Sequence, residues 1–95
     1  MSVRVEWDSR KASINLDKHS VSFDEASTVF DNPLAILFSD EDHSAREIRE
    51  IAIGHSIQDR LLVVSFTERE PDIIRIISAR LATHRERKDY EEINR

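Results

Sequence analysis

The sequence contains no cysteine, one glycine and two prolines among its 95 residues. Without cysteine, neither a disulfide framework nor a cysteine-ligated zinc site can form, and no thiol is available as a nucleophile. The single glycine excludes the glycine-rich loops that cradle phosphates. No apolar run approaches the roughly 20 residues of a membrane-spanning helix, and the first residues lack the apolar segment of a signal peptide. We therefore expect a soluble, cytoplasmic protein that does not associate with membranes.

Histidine is present, but its spacing does not favour a metal site. The four histidines are His19, His43, His55 and His84. No pair of them has the i, i+4 spacing of a helical zinc motif, and the acidic run at residues 40–42 lacks the twelve-residue pattern of a calcium loop. We predict no metal and no other cofactor.

What the sequence has in abundance is charge. Charged residues make up 35% of the chain and apolar residues 39%, and the apolar residues occur in runs, as is typical of a folded protein. This length suffices for one core, so we assign residues 1–95 to a single domain. The net charge is -5, with eight acids against two bases in residues 24–50 and five bases against one acid in residues 75–88. The basic segment could bind nucleic acid, although both segments could equally be solvated surfaces.

The first part of the chain predicts a strand and two helices. Val3–Trp7 alternates apolar and polar residues, which indicates a strand. Asp8 is a suitable N-cap for a first helix, which should end near His19. Ser22 begins a second helix, because Glu25 follows at the spacing of a capping box.

Four further strands and a C-terminal helix follow. The predicted strands are Leu34–Phe38, Glu47–Gly54, Arg60–Thr67 and Ile73–Ala79. Asp31-Asn32-Pro33 should end the second helix, residues 39–44 should form a loop, and Gly54 and Glu68–Asp72 should lie in turns. A second capping box at Thr83–Glu86 opens the last helix. This order predicts an α+β fold, in which helices pack on a mainly antiparallel sheet.

The remaining residue types suit RNA cleavage without a metal, in which the 2′-hydroxyl of the substrate is the nucleophile. Such a reaction requires a base, an acid and cations that stabilise the phosphorane. Arg75 and Arg80 could supply the cations, because a guanidinium binds phosphate oxygens bidentately. Glu68, His19 and His84 could transfer protons. The two arginines are five residues apart and would point to opposite faces of a regular strand, so a bulge, or a position of Arg80 beyond the strand end, is needed to bring them together.

Each of these candidates also has a purely structural interpretation. Salt bridges to nearby carboxylates would account for Arg75 and Arg80. Glu68 and Arg69 could form a solvated hairpin tip, and His19 could complement the dipole at a helix C-terminus. The residue chemistry alone leaves both interpretations open.

A series of motifs nevertheless follows one pattern along nearly the whole chain. In order, the motifs are Glu6-Trp7-Asp8 with Lys11 and Asn15, Lys18-His19 with Val21 and Phe23, Glu25-Ala26 through Val29-Phe30 to Asp31-Asn32-Pro33-Leu34-Ala35, residues 40–44, Ile53-Gly54 with Ser56, Arg60-Leu61-Leu62-Val63-Val64 leading to Phe66-Thr67-Glu68-Arg69, residues 74–80, Ala82-Thr83, Glu86-Arg87 and Tyr90-Glu91. In this combination the sequence resembles the BrnT family of type II toxins.

The resemblance implies a RelE-like fold: a mainly antiparallel sheet packed by two N-terminal helices and one C-terminal helix. It also implies ribonuclease activity that arrests translation, and neutralisation by a cognate BrnA-like antitoxin with a ribbon-helix-helix DNA-binding region. Because such an antitoxin dimerises, two copies of the toxin would be present in a heterotetramer. Operator DNA would be contacted only through the antitoxin.

The resemblance also assigns candidate site residues. Those that match the family pattern are Lys11, Lys18, His19, Arg60, Glu68, Arg69, Arg75 and Arg80, with Trp7 as a candidate base-stacking aromatic. In the catalytic roles, Arg80 and Arg75 would stabilise the phosphorane, and Glu68 or His19 would move protons. The other matching residues would bind RNA. The family has glycine where this chain has Ser20 and Asp59, so two turns must form without the residue best suited to them.

A different class of function is compatible with the same resemblance. The protein could be a non-catalytic module that binds an antitoxin and modulates its operator binding. The acidic segment 24–50 would then be the functional surface, meeting basic residues of the partner.

Overall fold

The computed structural model describes residues 3–40 and 48–95, and a five-stranded sheet forms the middle layer of the molecule. The strands are β1 (Arg4–Glu6), β2 (Ile36–Ser39), β3 (Arg49–His55), β4 (Leu61–Glu70) and β5 (Ile73–Leu81). The helices are α1 (Ser9–His19), α2 (Phe23–Ser27) and α3 (His84–Ile93), with a short 3₁₀ helix at Thr28–Asp31 after α2. The strand order is β1-β5-β4-β3-β2, and β1, which runs parallel to β5, is the one parallel strand among these five. The predicted α+β fold is confirmed.

The helices lie on both faces of the sheet. Alternate residues of the central strands, such as Val64 and Ile76, join Phe23 and Val29 of the α2 region in the main core. The opposite face carries α3, whose buried Tyr90 meets the ring of His55 edge-on at 5.5 Å. Among the described residues, no helix is long and apolar enough to cross a membrane.

The boundaries of α1 follow from its caps. The carboxylate of Asp8 accepts a hydrogen bond from the Lys11 amide at 3.0 Å, and the helix ends at His19, as predicted. Ser20 then adopts a left-handed conformation with φ 58°, and Asp59 does so with φ 60°. These are the two positions at which the family pattern has glycine, and in both the backbone takes the conformation that glycine adopts at least cost.

The two predicted capping boxes have different outcomes. The hydroxyl of Ser22 accepts from the Glu25 amide at 3.0 Å, so the N-cap of α2 is confirmed. The Glu25 carboxylate does not complete the box, because it accepts hydrogen bonds from the side chains of Ser56 and Arg60. At α3 both bonds of the box between Thr83 and Glu86 are present.

The turn predicted at Glu68–Asp72 is wrong for three of its residues. β4 continues to Glu70, and only Pro71 and Asp72 remain outside the two strands. Asp72 has φ 67°, which allows this two-residue turn to reverse the chain. The charged residues Glu68 and Arg69 resemble a hairpin tip in sequence, but they extend a long, partly exposed strand.

The predictions around β2 and β3 also require correction. Gly54 lies within β3 and not in a turn; a Cβ atom there would meet the Cβ of Ala35 at 2.9 Å, so glycine permits a close approach. β2 begins two residues later than predicted, because Asn32 accepts hydrogen bonds from the amides of Leu34 and Ala35. Of the predicted loop 39–44, Ser39 belongs to β2 and residues 41–44 lie outside the described residues.

Candidate functional site

β5 contains a bulge, one of the two arrangements that could bring Arg75 and Arg80 together. The register with β4 shifts by one residue, and Ile77 is the residue of β5 without a partner in the ladder. Ile76 and Ala79 consequently both face the main core although they are three residues apart. Arg75 and Arg80 therefore share the opposite face of the sheet, which the catalytic interpretation needs. Their ladder partners on β4 are four residues apart, so the two arginine Cα atoms are about 13 Å apart.

α1 lies along β5 and forms a cationic groove with it. The groove has a volume of about 200 Å³, and it is lined by Lys11, Ile14, Asn15, Lys18, His19, Ile77 and Ser78. Three of the predicted site residues, Lys11, Lys18 and His19, thus meet β5 at its bulge. β1 pairs with β5 only from Ile73 to Arg75, so β1 does not cover the part of the edge that the groove follows.

Arg75 lies near the beginning of α1. The pKa of Asp8 is lowered chiefly by the hydrogen bond from the Lys11 amide, and the positive charges of Lys11 and Arg75 lower it further. Both cations therefore lie within electrostatic range of one carboxylate. Arg75 of β5 and Lys11 of the groove are therefore close to the same residue, Asp8.

Arg80 forms a salt bridge with Glu86, as its purely structural interpretation predicts. Its two terminal nitrogens donate to the two carboxylate oxygens of Glu86 at 2.8 and 2.9 Å, and Glu86 also accepts from the Thr83 amide at 2.9 Å. The Arg80 guanidinium lowers the pKa of Glu86 to about 2. The Arg80 side chain is still 40% exposed, so it can also reach a ligand in solvent. The salt bridge is therefore confirmed, and the catalytic role of Arg80 stays a prediction.

Arg60 is engaged within the fold. Its Nε donates to the Glu25 carboxylate at 2.9 Å, a terminal nitrogen binds the same carboxylate, and another contact reaches the Ser20 carbonyl at 3.2 Å. Glu25 is only 4% exposed, and the hydrogen bond from Arg60 lowers its pKa. Arg60 thus connects the turn before β4 with α2, and it does not line the groove.

Trp7 also lies apart from the groove. Its ring meets Phe23 edge-on, with 6.1 Å between the ring centroids. It lines a separate cavity of about 260 Å³ together with Ala12 and Leu16 of α1 and with residues of α2. This half-buried tryptophan packs between the helices and the core.

Glu68 lies on the other face of the sheet from the two arginines. Its partner in the ladder is Ile74, whose side chain is in the main core. Because directly opposed residues share a face, Glu68 points away from Arg75 and Arg80. Arg69 occupies a second irregularity, between Glu68 and Glu70. The structure thus brings His19, but not Glu68, to the groove.

The motif-based reasoning missed roles for two residues. Glu86 was predicted only as part of a capping box, yet it also binds Arg80. Asn15 is buried in the middle of α1, whereas its neighbour Leu16 is 49% exposed. The sequence did contain one indication of its importance. Asn15 is a polar residue four positions after Lys11 and four before His19, so it lies on the same side of α1 as these two candidate site residues. In residues 3–40 and 48–95, no group of three or more His, Asp or Glu side chains is arranged to hold a metal ion.

A mostly antiparallel five-stranded sheet with helices on both faces places the protein in the α+β class, and this architecture is consistent with the RelE-like fold that the motifs imply. A family profile described as "Ribonuclease toxin, BrnT, of type II toxin-antitoxin system" matches residues 7–86. The chain therefore belongs to the BrnT family of ribonuclease toxins, as its motifs predicted. Membership in a toxin-antitoxin system implies an antitoxin partner.

A solved structure supports the fold. The ribonuclease toxin BrnT of Brucella abortus, known from a crystal structure at 1.1 Å resolution, matches with a TM-score of 0.66 and 22% sequence identity. The match covers 87% of this chain and 100% of the Brucella chain. A comparison with curated proteins finds no match.

Proposed function

We propose that this protein is an RNA endonuclease whose site is the groove between α1 and β5, and that it cleaves without a metal ion. The observation that supports this best is the arrangement around the bulge. Lys11, Lys18 and His19 line one side of the groove, while Arg75 and Arg80 share one face of the adjoining strand. The arginines flank the lining of the groove on β5, so RNA that extends from the groove onto that face of the strand would meet cations from two elements.

In this mechanism the 2′-hydroxyl of the RNA attacks the neighbouring phosphorus, and the 5′-oxygen leaves. The products are a 2′,3′-cyclic phosphate and a free 5′-hydroxyl. Arg80 and Arg75 stabilise the negative charge that develops on the phosphorane oxygens. His19 accepts the proton of the attacking 2′-hydroxyl and returns a proton to the leaving 5′-oxygen, since imidazole is suited to proton transfer at neutral pH. Glu68 is the alternative group, which its location on the opposite face disfavours.

The other predicted contacts divide into two groups. Lys11 and Lys18 bind the RNA backbone within the groove, and Arg69 extends the cationic surface toward the tip of the hairpin. Arg60 and Trp7 act through the fold in this proposal, because one is bound to Glu25 and the other packs on Phe23.

The test is a cleavage assay on purified protein in the presence of a chelator. We expect the wild type to cleave RNA, and we expect Arg80→Ala to lower the rate by a factor of about 10² to 10³, as for loss of a group that stabilises transition-state charge. His19→Ala should have a large effect and Glu68→Ala a small one. The matched control is Arg10→Ala, because Arg10 is turned by about 100° around α1 from Lys11.

The contrary outcomes are distinct. Cleavage that chelation abolishes would refute the metal-free mechanism. A strong effect of Glu68→Ala with none of His19→Ala would move the proton-transfer group to the other face. A folded wild type that binds its antitoxin without cleaving RNA would instead identify a non-catalytic module.

RNA binding should be local and sensitive to salt, because the whole chain carries a net charge of -5. Each lysine that contacts a phosphate releases counterions, so Lys11→Ala and Lys18→Ala should each lower the slope of log affinity against log salt by about 0.7. The affinity for an uncleavable 2′-O-methyl RNA, measured between low and physiological salt, gives this slope. An unchanged slope in both variants would exclude the groove as the binding site.

We propose further that the protein acts in the cytoplasm, where it inhibits translation by cutting RNA, and that its antitoxin is a BrnA-like ribbon-helix-helix protein. Such a partner dimerises, so the complex would contain two toxin chains and would reach operator DNA only through the antitoxin. The mass of the co-expressed complex tests the stoichiometry. Expression without the partner should arrest growth, and arrest that persists with Arg80→Ala would exclude this residue from the site.

A further inference from the structure

Asn15 is a buried side chain whose amide is fully engaged. Its Nδ2 donates to the Ala79 carbonyl at 2.8 Å and to the Val21 carbonyl at 3.0 Å, and its Oδ1 accepts from the Ala79 amide at 3.1 Å. Both N–H groups of the carboxamide are therefore used. Asn15 and Ala79 are separated by 64 residues in the chain, so these bonds join two distant segments.

At Ala79 the carboxamide takes the place of a neighbouring strand. β1 ends its pairing with β5 at Arg75, and the bulge at Ile77 follows. A bulge interrupts the ladder locally and leaves one residue without a partner, although β4 still pairs with Ala79 on the other side of β5. By bonding both the amide and the carbonyl of Ala79, Asn15 holds the first core-facing residue after the bulge as a strand partner would.

The same contact lies between the two halves of the groove. On α1, Asn15 is four residues after Lys11 and four before His19, so all three lie on one side of the helix. On β5, Ala79 directly precedes Arg80. A change in the bonds of Asn15 would consequently alter the distance between the imidazole of His19 and the guanidinium of Arg80.

We propose that Asn15 is a positioning residue of the ribonuclease site: it fixes α1 on the bulged edge of β5 and so sets the placement of His19 relative to Arg80. The inference rests on the proposed function. Asn15 touches no substrate in this scheme and acts through Ala79. Positioning errors of about 1 Å can cost a factor of 10² in rate, so the effect should be large even in a folded variant.

The experiment compares two substitutions. Asn15→Asp preserves shape but removes both donors and brings a carboxylate against two carbonyl oxygens. Asn15→Ala preserves helix propensity and supplies the test if the carboxylate prevents folding. The matched control is Val29→Ala, which weakens the main core near β3, away from the groove. All are assayed at a temperature at which circular dichroism shows each variant to be folded.

We expect kcat to fall about 10- to 100-fold in both Asn15 variants and to stay near the wild-type value in Val29→Ala. The affinity for an uncleavable 2′-O-methyl RNA should change by less than about threefold, because Lys11 and Lys18 remain on α1. Hydrogen exchange of the Ala79 amide should accelerate in Asn15→Ala and not in Val29→Ala.

Two results would refute the role of Asn15 without refuting the proposed site. One is a kcat of the Asn15 variants equal to that of Val29→Ala while Arg80→Ala is inactive. The other is an unchanged exchange rate of the Ala79 amide in Asn15→Ala. Undiminished cleavage by Arg80→Ala would instead refute the proposed site, and the role of Asn15 would fall with it. The Arg80→Ala reaction thus separates the two failures.

Discussion

Glu86 has two tasks that one substitution can separate. It completes the capping box of α3 with Thr83, and it binds the guanidinium of Arg80. Glutamine serves equally well at the third helical position of a capping box. Glu86→Gln therefore keeps the cap and removes the charge that pairs with Arg80.

The magnitude follows from the pKa of Glu86, which Arg80 lowers to about 2 from an ordinary value of 4.5. A difference of this size corresponds to at most about 3 kcal/mol. The Arg80 and Glu86 side chains are 40% and 29% exposed, so solvent screens the pair. We expect Glu86→Gln to lower the free energy of unfolding by about 1 kcal/mol at pH 7.

The contribution of this ion pair to the free energy of unfolding should decrease at low pH. The pKa of Glu86 is lower in the folded than in the unfolded protein, so the ion pair contributes fully above pH 4.5. The contribution is lost as the pH falls from 4.5 toward 2, because the unfolded chain then binds a proton at Glu86, whereas Arg80 keeps this carboxylate ionised in the folded protein. At pH 3.5 about two-fifths of it should be gone.

The assay is urea unfolding followed by circular dichroism at pH 7 and at pH 3.5. The matched control is Glu91→Gln, an exposed glutamate of the same helix, for which we expect no difference from the wild type beyond about 0.5 kcal/mol. If the difference between wild type and Glu86→Gln is equal at both pH values, the loss comes from the cap and not from the charge. If there is no difference at pH 7, the ion pair with Arg80 does not stabilise the fold.

Two further predictions concern the backbone. Ser20→Gly and Asp59→Gly should each raise the free energy of unfolding by about 0.5 to 1 kcal/mol, because both residues have positive φ. Ser13→Gly within α1 should instead lower it by about 0.5 kcal/mol. Thermal unfolding distinguishes these, and destabilisation by both of the first two would contradict the left-handed turns. Gly54→Ala should lower the free energy of unfolding by about 2 kcal/mol, since the new Cβ would lie 2.9 Å from that of Ala35. An unchanged unfolding temperature would show that β3 and the segment before β2 can move apart.

Local rules predicted the helices well because their signals are local. The N-caps at Asp8, Ser22 and Thr83 each depend on a hydroxyl or carboxylate within three residues of the amide that it binds. The bulge in β5 was only one of two arrangements that could bring Arg75 and Arg80 to one face, and the sequence did not decide between them. The family followed from many motifs in one order.

The sequence did not predict which distant residue each of these side chains contacts. The Glu25 carboxylate had a capping-box partner three residues away, yet it binds Arg60, 35 residues further along the chain. Gly54 and Glu68 have the residue types of turns, and tertiary contacts place them in strands. The motif that includes Asn15 does not reveal what this residue contacts, because its hydrogen bonds are to Ala79, which the fold brings to it. In each case a long-range contact overrides the local preference.

The two ion pairs with Glu25 and Glu86 bear directly on the competing functions. Arg60 and Arg80 are each bound by a glutamate, but the first pair includes a carboxylate that is 4% exposed, and its release would leave a buried charge unpaired. Glu25 of the acidic segment 24–50 is therefore buried and neutralised by Arg60, so it does not contribute to a surface that could bind a basic partner. The pair of Arg80 is more exposed and lies beside the cationic groove, where a phosphate can compete with Glu86 for the guanidinium. Of the two arginines, only Arg80 can exchange its partner without disrupting the core, which favours the ribonuclease over the non-catalytic module.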